Sequence, residues 1–552
     1  MPAMLDPSHY EDSFARDHLP PPDLWPVLDL EPLRPFAYPR RLNAAVELLD
    51  HMVARGFGDR PCVRAPGGET WSYANLLEKA NRIAGVLVNE MGLKTGGRVL
   101  LRAANKPMLA ACWFATLKAG GIAVTTMPLL RARELGYIVD KARIEHALCD
   151  AAVAAPLDEL RAAGTGLREV RAFGGADPDG LDTAMARQAP TFENVIPSHE
   201  DVALIAFTSG TTGAAKATMH FHRDVLAICD LFPRSCLDIT AADVFSGTPP
   251  LGFTFGLGGL LLFPMRFGAS TLLIERTSPE HLLQMVQEHR LTMLFTAPTM
   301  YRAMTPLAGR YDLSSLRACV SAGEHLPAPV AVGWREKTGL MIVDGLGSTE
   351  MLHVFASAPS AAMRPGRTGR PIPGYRIKVV DEQMAEVPRN TVGRLAVQGA
   401  TGCRYLDDPE RQKAYVRDGW NLTGDAYLMD DDGYLQYQSR TDDMIISAGY
   451  NISGPEIEAV LLDHPKVREC AVVGAPDPDR GMIVKAFIVP TDPAHASEAT
   501  TLELQEFVKA QIAPYKYPRA IEYLEALPRT ETGKVQRFRL RESPAGGPAA
   551  AR

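Results

Sequence analysis

Residues 202–207, Val-Ala-Leu-Ile-Ala-Phe, are an apolar run of strand length that opens directly onto Thr208-Ser-Gly-Thr-Thr-Gly-Ala-Ala-Lys216. The run reads as a buried strand, and a strand buried on both sides calls for helices over the sheet that contains it. In the segment that follows, Gly210 and Gly213 let the backbone turn with its N–H groups pointing inward. Thr208, Ser209, Thr211 and Thr212 add hydroxyl donors for phosphate oxygens, and Lys216 adds a positive charge. The spacing is not that of a P-loop NTPase, because Gly213 is followed by Ala-Ala-Lys rather than by Lys-Ser or Lys-Thr. The loop therefore reads as a phosphate cradle of a different type.

The flanking sequence extends the same pattern. Helical periodicity over 44–55, 73–91 and 108–119 alternates with an apolar strand at 98–102, and similar alternation recurs from 201 to 343. This predicts an α/β chain with parallel sheets covered by helices. Shorter β-rich segments at 377–380 and 393–398 predict a small barrel-like subdomain. Beyond residue 440 a new pattern begins: a helix over 455–463 capped by Ser453, strands at 469–474 and 484–489, and a helix over 502–511. Glu456 and Glu458 lie in the first turn of the first of these helices, where they complement its dipole. The expected division is a large domain over 1–440 and a small α+β domain over 441–552, with a frayed tail at 543–552. The proline-rich residues before about 40 read as an arm lying on the surface.

Composition narrows the class of function. With 552 residues, 46% of them hydrophobic, the chain can bury more than one core. A net charge of −7 with no dense basic stripe speaks against a nucleic-acid partner. The eight cysteines include no Cys-x-x-Cys pair and are expected to be reduced thiols, and His220 with His222 lacks the further ligands a metal centre needs. No apolar run is long enough to span a bilayer and no secretory leader is evident, so the expectation is a cytoplasmic enzyme with no membrane partner, for which a homodimer is compatible.

The cradle resembles the phosphate-binding signature of the adenylate-forming superfamily, which comprises acyl- and aryl-CoA synthetases, peptide-synthetase adenylation domains and luciferases. Four further segments occur in that family's order: Gly347-Ser-Thr-Glu350, Thr423-Gly-Asp425, Arg440-Thr-Asp-Asp443 and Pro528-Arg-Thr-Glu-Thr-Gly-Lys534. The string Asp344-Gly-Leu-Gly-Ser-Thr-Glu-Met-Leu-His353 resembles the benzoate-CoA and 2-aminobenzoate-CoA ligase branch. Asp12-Ser-Phe-Ala-Arg-Asp-His-Leu-Pro20 and Tyr38-Pro-Arg-Arg-Leu-Asn43 are more similar to the 2-aminobenzoate enzymes.

The resemblance implies an AMP-forming acid–thiol ligase that uses ATP, Mg²⁺ and coenzyme A. Residues 208–216 would hold the β- and γ-phosphates, Glu350 the Mg²⁺, and Thr349 a phosphate oxygen. Asp425 would accept from both ribose hydroxyls, with Arg440 adding a donor. Asp344 would accept from the adenine amino group; Leu346 stands where the family usually has an aromatic, so adenine contact would be apolar. Gly323, Glu324, His325 and Pro327, with Gly345, Gly347, Ser348 and Tyr437, complete the implied nucleotide site. Lys534, on the small domain, would bridge the acid's carboxylate and the α-phosphate as charge develops. Asp442 matches the family's hinge, and a rotation there would bring Ser447, Ala448, Gly449 and Tyr450 to line the pantetheine path.

For the acid itself, Leu251-Gly-Phe-Thr-Phe-Gly-Leu-Gly258 replaces a histidine-containing loop with aromatic and small residues suited to a flat ring. The expected wall is Phe253, Thr254, Phe255, Gly256, Ala322, Gly323, Gly347, His353 and Val354. His353 is the member best able to hydrogen-bond a ring substituent; the alternative is a buried histidine paired with backbone. The favoured acid is 2-aminobenzoate, with benzoate next. Two other readings stay open: an adenylation enzyme that loads a carrier protein, and a nucleotide-binding regulator without catalysis.

Overall fold

The computed structural model describes residues 5–208, 215–440, 443–447, 450–477, 481–512, 514–530 and 533–542. Ser209, Gly210, Thr211, Thr212, Gly213, Asp442, Ala448, Gly449 and the tail from 543 lie outside the described residues.

Two helix-covered sheets form most of the larger part. One has six strands in the order Glu169–Phe173, His146–Asp150, Arg98–Arg102, Ile122–Thr126, Val202–Thr208 and Lys216–Phe221. Its first five strands are parallel and its last pair is antiparallel. The other has nine strands, with Pro61–Arg64, Ser270–Leu272, Val244–Gly247, Met293–Thr296, Ala318–Ala322 and Ile342–Gly347 running parallel. Val354–Ser357 and Arg370–Pro371 add antiparallel at one edge and Thr70–Ser72 at the other. The sheets are thus mixed rather than wholly parallel. The connections after Thr208 and Gly347 are too short for a crossover, so each next strand turns back beside its predecessor.

The β-rich stretch forms a five-stranded antiparallel sheet: Tyr375–Val380, Gly393–Gly399, Trp420–Met429 and Val416–Arg417, with Leu435–Arg440 paired to Trp420–Met429. After it come the hairpin Ile445–Ser447 and Tyr450–Ile452 and a three-stranded sheet of Val467–Asp477, Gly481–Pro490 and Ala520–Tyr523. This sheet has its own apolar layers, Ile457, Leu461, Val472 and Leu504 on one side and Phe487, Leu527 and Leu540 on the other. The strand Ala520–Tyr523 has no counterpart in the sequence reading, because all four of its residues are half-buried and no apolar run marks it.

Local chemistry explains where elements start. Ser72 caps the helix Tyr73–Gly85 by accepting from Asn75 N, and Asn75 returns the bond. Ser453 caps Gly454–Leu462 by accepting from Glu456 N at 3.3 Å. Because the helix starts at Gly454, Glu456 alone of the two glutamates lies in its first turn, and both are ion-paired: Glu456 with Lys516 at 2.7 Å and Glu458 with Arg537 at 2.8 Å.

The N-terminal arm is less superficial than its composition implies. Ala15 is buried in the core of the six-stranded sheet, with Tyr10, Phe14, Leu19 and Trp25 packed against it. Tyr10 Oη lies 2.9 Å from His222 Nε2, and the Arg404 guanidinium covers the Trp25 ring. Four large apolar side chains within sixteen positions outweigh the prolines. All eight cysteines are free thiols. Among the described residues no helix is long and apolar enough to cross a membrane.

Candidate active site

The predicted residues gather at the carboxyl ends of strands in both sheets, where open α/β sheets present their crevices. Thr208 and Lys216 are Cα partners at the ends of their antiparallel strands, so the cradle's two ends are held side by side. In the other sheet Ser321 pairs with Asp344 and Ala322 with Gly345, which brings the segment 322–327 alongside 344–350. Gly323 has φ +86°, the left-handed turn that redirects the chain from its strand toward helix Ala328–Thr338, with Pro327 immediately before that helix.

Electrostatic contacts show which groups converge. The Cys403 thiol, pushed up chiefly by burial, also feels the charges of Glu350 and Lys216. Asp425, raised by burial, feels Arg440 and Glu350. Tyr427, next to the Asp425 strand position, feels both Asp425 and Asp344. Burial raises Glu324, and Lys534 of the small part partly offsets it. Lys534 is exposed, on a turn in which its N–H donates to Thr530 Oγ1 at 3.1 Å. The acid-activating lysine of the sequence reading thus lies on the side of the small part that faces Glu324.

Each nucleotide-side residue has a definite setting. Asp425 lies opposite Arg440, whose Nη1 donates to Oδ1 at 2.8 Å, so Arg440 orients the carboxylate. Tyr437 stacks on His325 with ring centroids 5.3 Å apart. Burial and the Arg537 charge lower His325 to about 4, so this ring is neutral at physiological pH. Asp344 is 4% exposed, and burial raises its carboxyl to about 8. Leu346 is half-buried against the main core, in keeping with apolar contact rather than stacking.

The motif turn after Gly347 is held from three sides. His220 Nε2 donates to Thr349 O at 2.8 Å, Thr401 Oγ1 donates to Met351 O at 2.7 Å, and Tyr405 Oη donates to Glu350 Oε1 at 2.8 Å. Ser348 Oγ accepts from Met351 N at 3.2 Å. His220 therefore fixes the turn, while His222 begins the next helix and accepts from Ala44 N at 3.1 Å. Glu350 is 8% exposed, and among the described residues its side chain makes one hydrogen bond, at Oε1. A buried carboxylate held by one oxygen has the donor chemistry that would suit a hard divalent cation.

The residues expected to wall the acid centre on His353, which is 3% exposed. Phe263 lies edge-on to it at 4.6 Å between centroids, with Phe255 at 5.8 Å and Phe232 at 5.9 Å. A Cβ at Gly258 would stand 2.4 Å from His353 Cδ2, so that position has to be glycine for the ring to fit. Burial lowers the imidazole to about 3, against an opposing effect of the Phe255 backbone. By strict hydrogen-bond geometry neither ring nitrogen has a partner among the described residues, so the Phe255 backbone is the one polar neighbour that bears on the backbone-paired alternative. Phe253 and Thr254 stand half-buried at the start of helix Thr254–Leu257, and Gly256 packs on the Pro250 carbonyl. Val354 turns toward Gly345 between its strands, and Ala322 closes the adjoining strand end. Phe232, Phe263 and Phe295 were not singled out in the sequence, since each lies in a run that reads as ordinary core.

The family model for AMP-binding enzymes matches residues 51–404, and that for the AMP-binding enzyme C-terminal domain matches 456–534. The chain belongs to the AMP-binding enzyme family. Benzoate–CoA ligase of Thauera aromatica is 34% identical over 92% of this chain and 97% of that enzyme. The 3-hydroxybenzoate–CoA ligase of Aromatoleum sp. (strain CIB) is 31% identical over 91% and 97%. The crystal structure of the anthranilate CoA ligase AuaEII in complex with anthranoyl-AMP superposes with a TM-score of 0.87 at 32% identity, covering 91% of this chain and 97% of that one. These relatives place this AMP-binding enzyme in the benzoate and aryl-CoA ligase branch of the adenylate-forming superfamily, among the AMP-forming acid–thiol ligases.

Proposed function

We propose that the chain is a cytoplasmic ATP-dependent aryl-CoA ligase whose preferred acid is 2-aminobenzoate, followed by benzoate. The observation that carries the choice of acid is the buried, neutral imidazole of His353 set among three phenylalanines, with no partner of good geometry among the described residues. Flat apolar walls suit an aromatic ring, and a lone buried acceptor or donor suits one polar ring substituent. The likeness to aryl-CoA ligases, one of them solved with anthranoyl-AMP, supports the same reading.

In this mechanism the acid's carboxylate attacks the α-phosphorus of ATP and pyrophosphate leaves. Lys216 and the cradle hold the phosphates, while Asp425 fixes the ribose and Asp344 the adenine amino group. Bound Mg²⁺ supplies charge neutralisation at the phosphates, and Glu350 is the carboxylate placed to hold it. Lys534 stabilises charge on the α-phosphate and the acid. Thiol attack on the acyl carbon then releases AMP, and for this the small domain turns about Asp442, bringing Ser447, Ala448, Gly449 and Tyr450 to the site.

The deciding experiment is thioester formation, read by mass spectrometry, from ATP, Mg²⁺, CoA and a panel of 2-aminobenzoate, benzoate, hydroxybenzoates, cinnamates and medium-chain fatty acids. Highest kcat/KM for 2-aminobenzoate is the expected result. A fatty-acid preference would overturn the pocket assignment, adenylate without thioester would point to a carrier-protein acceptor, and no acid-dependent ATP–pyrophosphate exchange would point to a regulator.

A further inference from the structure

Tyr405 lies outside every motif that the sequence reading assigned to the nucleotide, yet its hydroxyl donates to Glu350 Oε1 at 2.8 Å. It is 1% exposed and rigidly seated. Its N–H donates to Gln412 Oε1 at 2.9 Å, and its backbone bridges Thr218. The preceding Arg404 forms a fully buried ion pair with Asp224 at 2.9 Å. With His220 on Thr349 O and Thr401 on Met351 O, Tyr405 completes a clamp in which the outer bonds fix the backbone and Tyr405 alone fixes the carboxylate.

We infer that Tyr405 is a positioning residue for the cation: by occupying Oε1 it sets the rotation of the Glu350 carboxylate and leaves Oε2 as the oxygen presented to the divalent ion. This rests on Glu350 being the Mg²⁺ ligand. Partners of a ligating carboxylate set its orientation, and their loss typically weakens metal binding about 10- to 100-fold. Tyr415 provides an internal control. Its ring lies edge-on to that of Tyr405 at 5.7 Å, but among the described residues it is Tyr405 and not Tyr415 whose hydroxyl bonds the Glu350 carboxylate.

The test is a Mn²⁺ titration of the full chain by EPR, in the presence of α,β-methylene-ATP, on the wild type and on Tyr405→Phe, Tyr415→Phe and Glu350→Gln. Tyr405→Phe is expected to weaken Mn²⁺ about tenfold. It should also raise the Mg²⁺ concentration for half-maximal ATP–pyrophosphate exchange by a similar factor, with the KM for the acid and the melting temperature unchanged. Tyr415→Phe should bind Mn²⁺ as the wild type does. Wild-type Mn²⁺ affinity in Tyr405→Phe alongside a loss in Glu350→Gln would overturn the inference, and so would equal losses in the two tyrosine variants. Unchanged affinity in Glu350→Gln would instead refute the assignment of Glu350 on which it stands.

Discussion

Asp425 and Arg440 face each other across an antiparallel strand pair, joined at 2.8 Å, and the arginine is the half-exposed partner. Burial raises the aspartate and Arg440 opposes that rise, so the arginine favours the charged form in which, on the proposed mechanism, Asp425 accepts two ribose hydroxyls. Arg440→Ala should therefore move the acid limb of the ATP KM–pH profile to higher pH. An ion pair this open to solvent contributes about 1 kcal/mol or less, so the increase in ATP KM at pH 7.5 should be about fivefold at most. An unmoved acid limb in steady-state exchange assays would show that Arg440 does not act through Asp425.

Asp344 is the site carboxyl with the largest functional pH consequence. Burial raises it to about 8, well above its unfolded value of 3.8, so it holds a proton at pH 7. An adenine amino group donating to it favours the charged form. ATP binding should consequently release protons between pH 6 and 8 and tighten as pH rises. The sign reverses for folding: the stability contributed by the protonated group is fully present below its unfolded value and lost as pH rises through about 8. Asp344→Asn should thus lose less melting temperature than the wild type between pH 7 and 9. Calorimetry in buffers of different ionisation enthalpy, with Asp344→Asn correcting for the nucleotide's own protons, measures the release; zero difference between the two proteins would refute the linkage.

The signals that survive in the linear sequence are those in which neighbours along the chain share one task. The cradle strand, the 344–353 string and the Ser453 cap are of that kind, and their places were legible. Tyr405 and His220 were not, because each acts on a turn more than fifty positions away and neither sits in a pattern that chemistry alone makes conspicuous. Of the phenylalanines around His353, Phe255 stands in the 251–258 loop that the sequence marks, whereas Phe232 and Phe263 look like core filling until the fold joins them. The same holds for Glu458, whose place in a first helical turn suggested a dipole role while the fold gives it Arg537, three residues beyond Lys534.

The setting of His353 predicts selectivity without a stability cost. Its nitrogens have no partner of good geometry among the described residues and only the Phe255 backbone acting on them, so replacing the ring by an apolar side chain of similar size removes a poorly satisfied buried polar group. His353→Leu should melt at or above the wild-type temperature. The kcat/KM ratio of 2-aminobenzoate to benzoate should fall about tenfold, the equivalent of one hydrogen bond of about 1.4 kcal/mol. Because burial holds the imidazole near 3, the wild-type ratio should be flat from pH 6 to 9. Equal losses for both acids would mean that His353 shapes the pocket without touching the substituent.

Lys534 tests the division of labour between the two half-reactions. Its side chain is exposed on a turn of the small part, and its charge reaches Glu324 at the nucleotide side of the larger part. A preorganised cation aimed at developing charge on the α-phosphate and the acid is worth about 3–4 kcal/mol, so Lys534→Ala should slow adenylate formation roughly 10²- to 10³-fold. The thiol step makes no use of that ammonium in the proposed mechanism, and thioester formation from supplied aryl-adenylate should stay within about threefold of wild type. Acetylating the same nitrogen removes its charge and should reproduce the first effect without the second. Rapid-quench measurement of each half-reaction separates the outcomes. Equal loss in both would mean that the lysine holds the nucleotide throughout, and loss in neither would remove it from the mechanism.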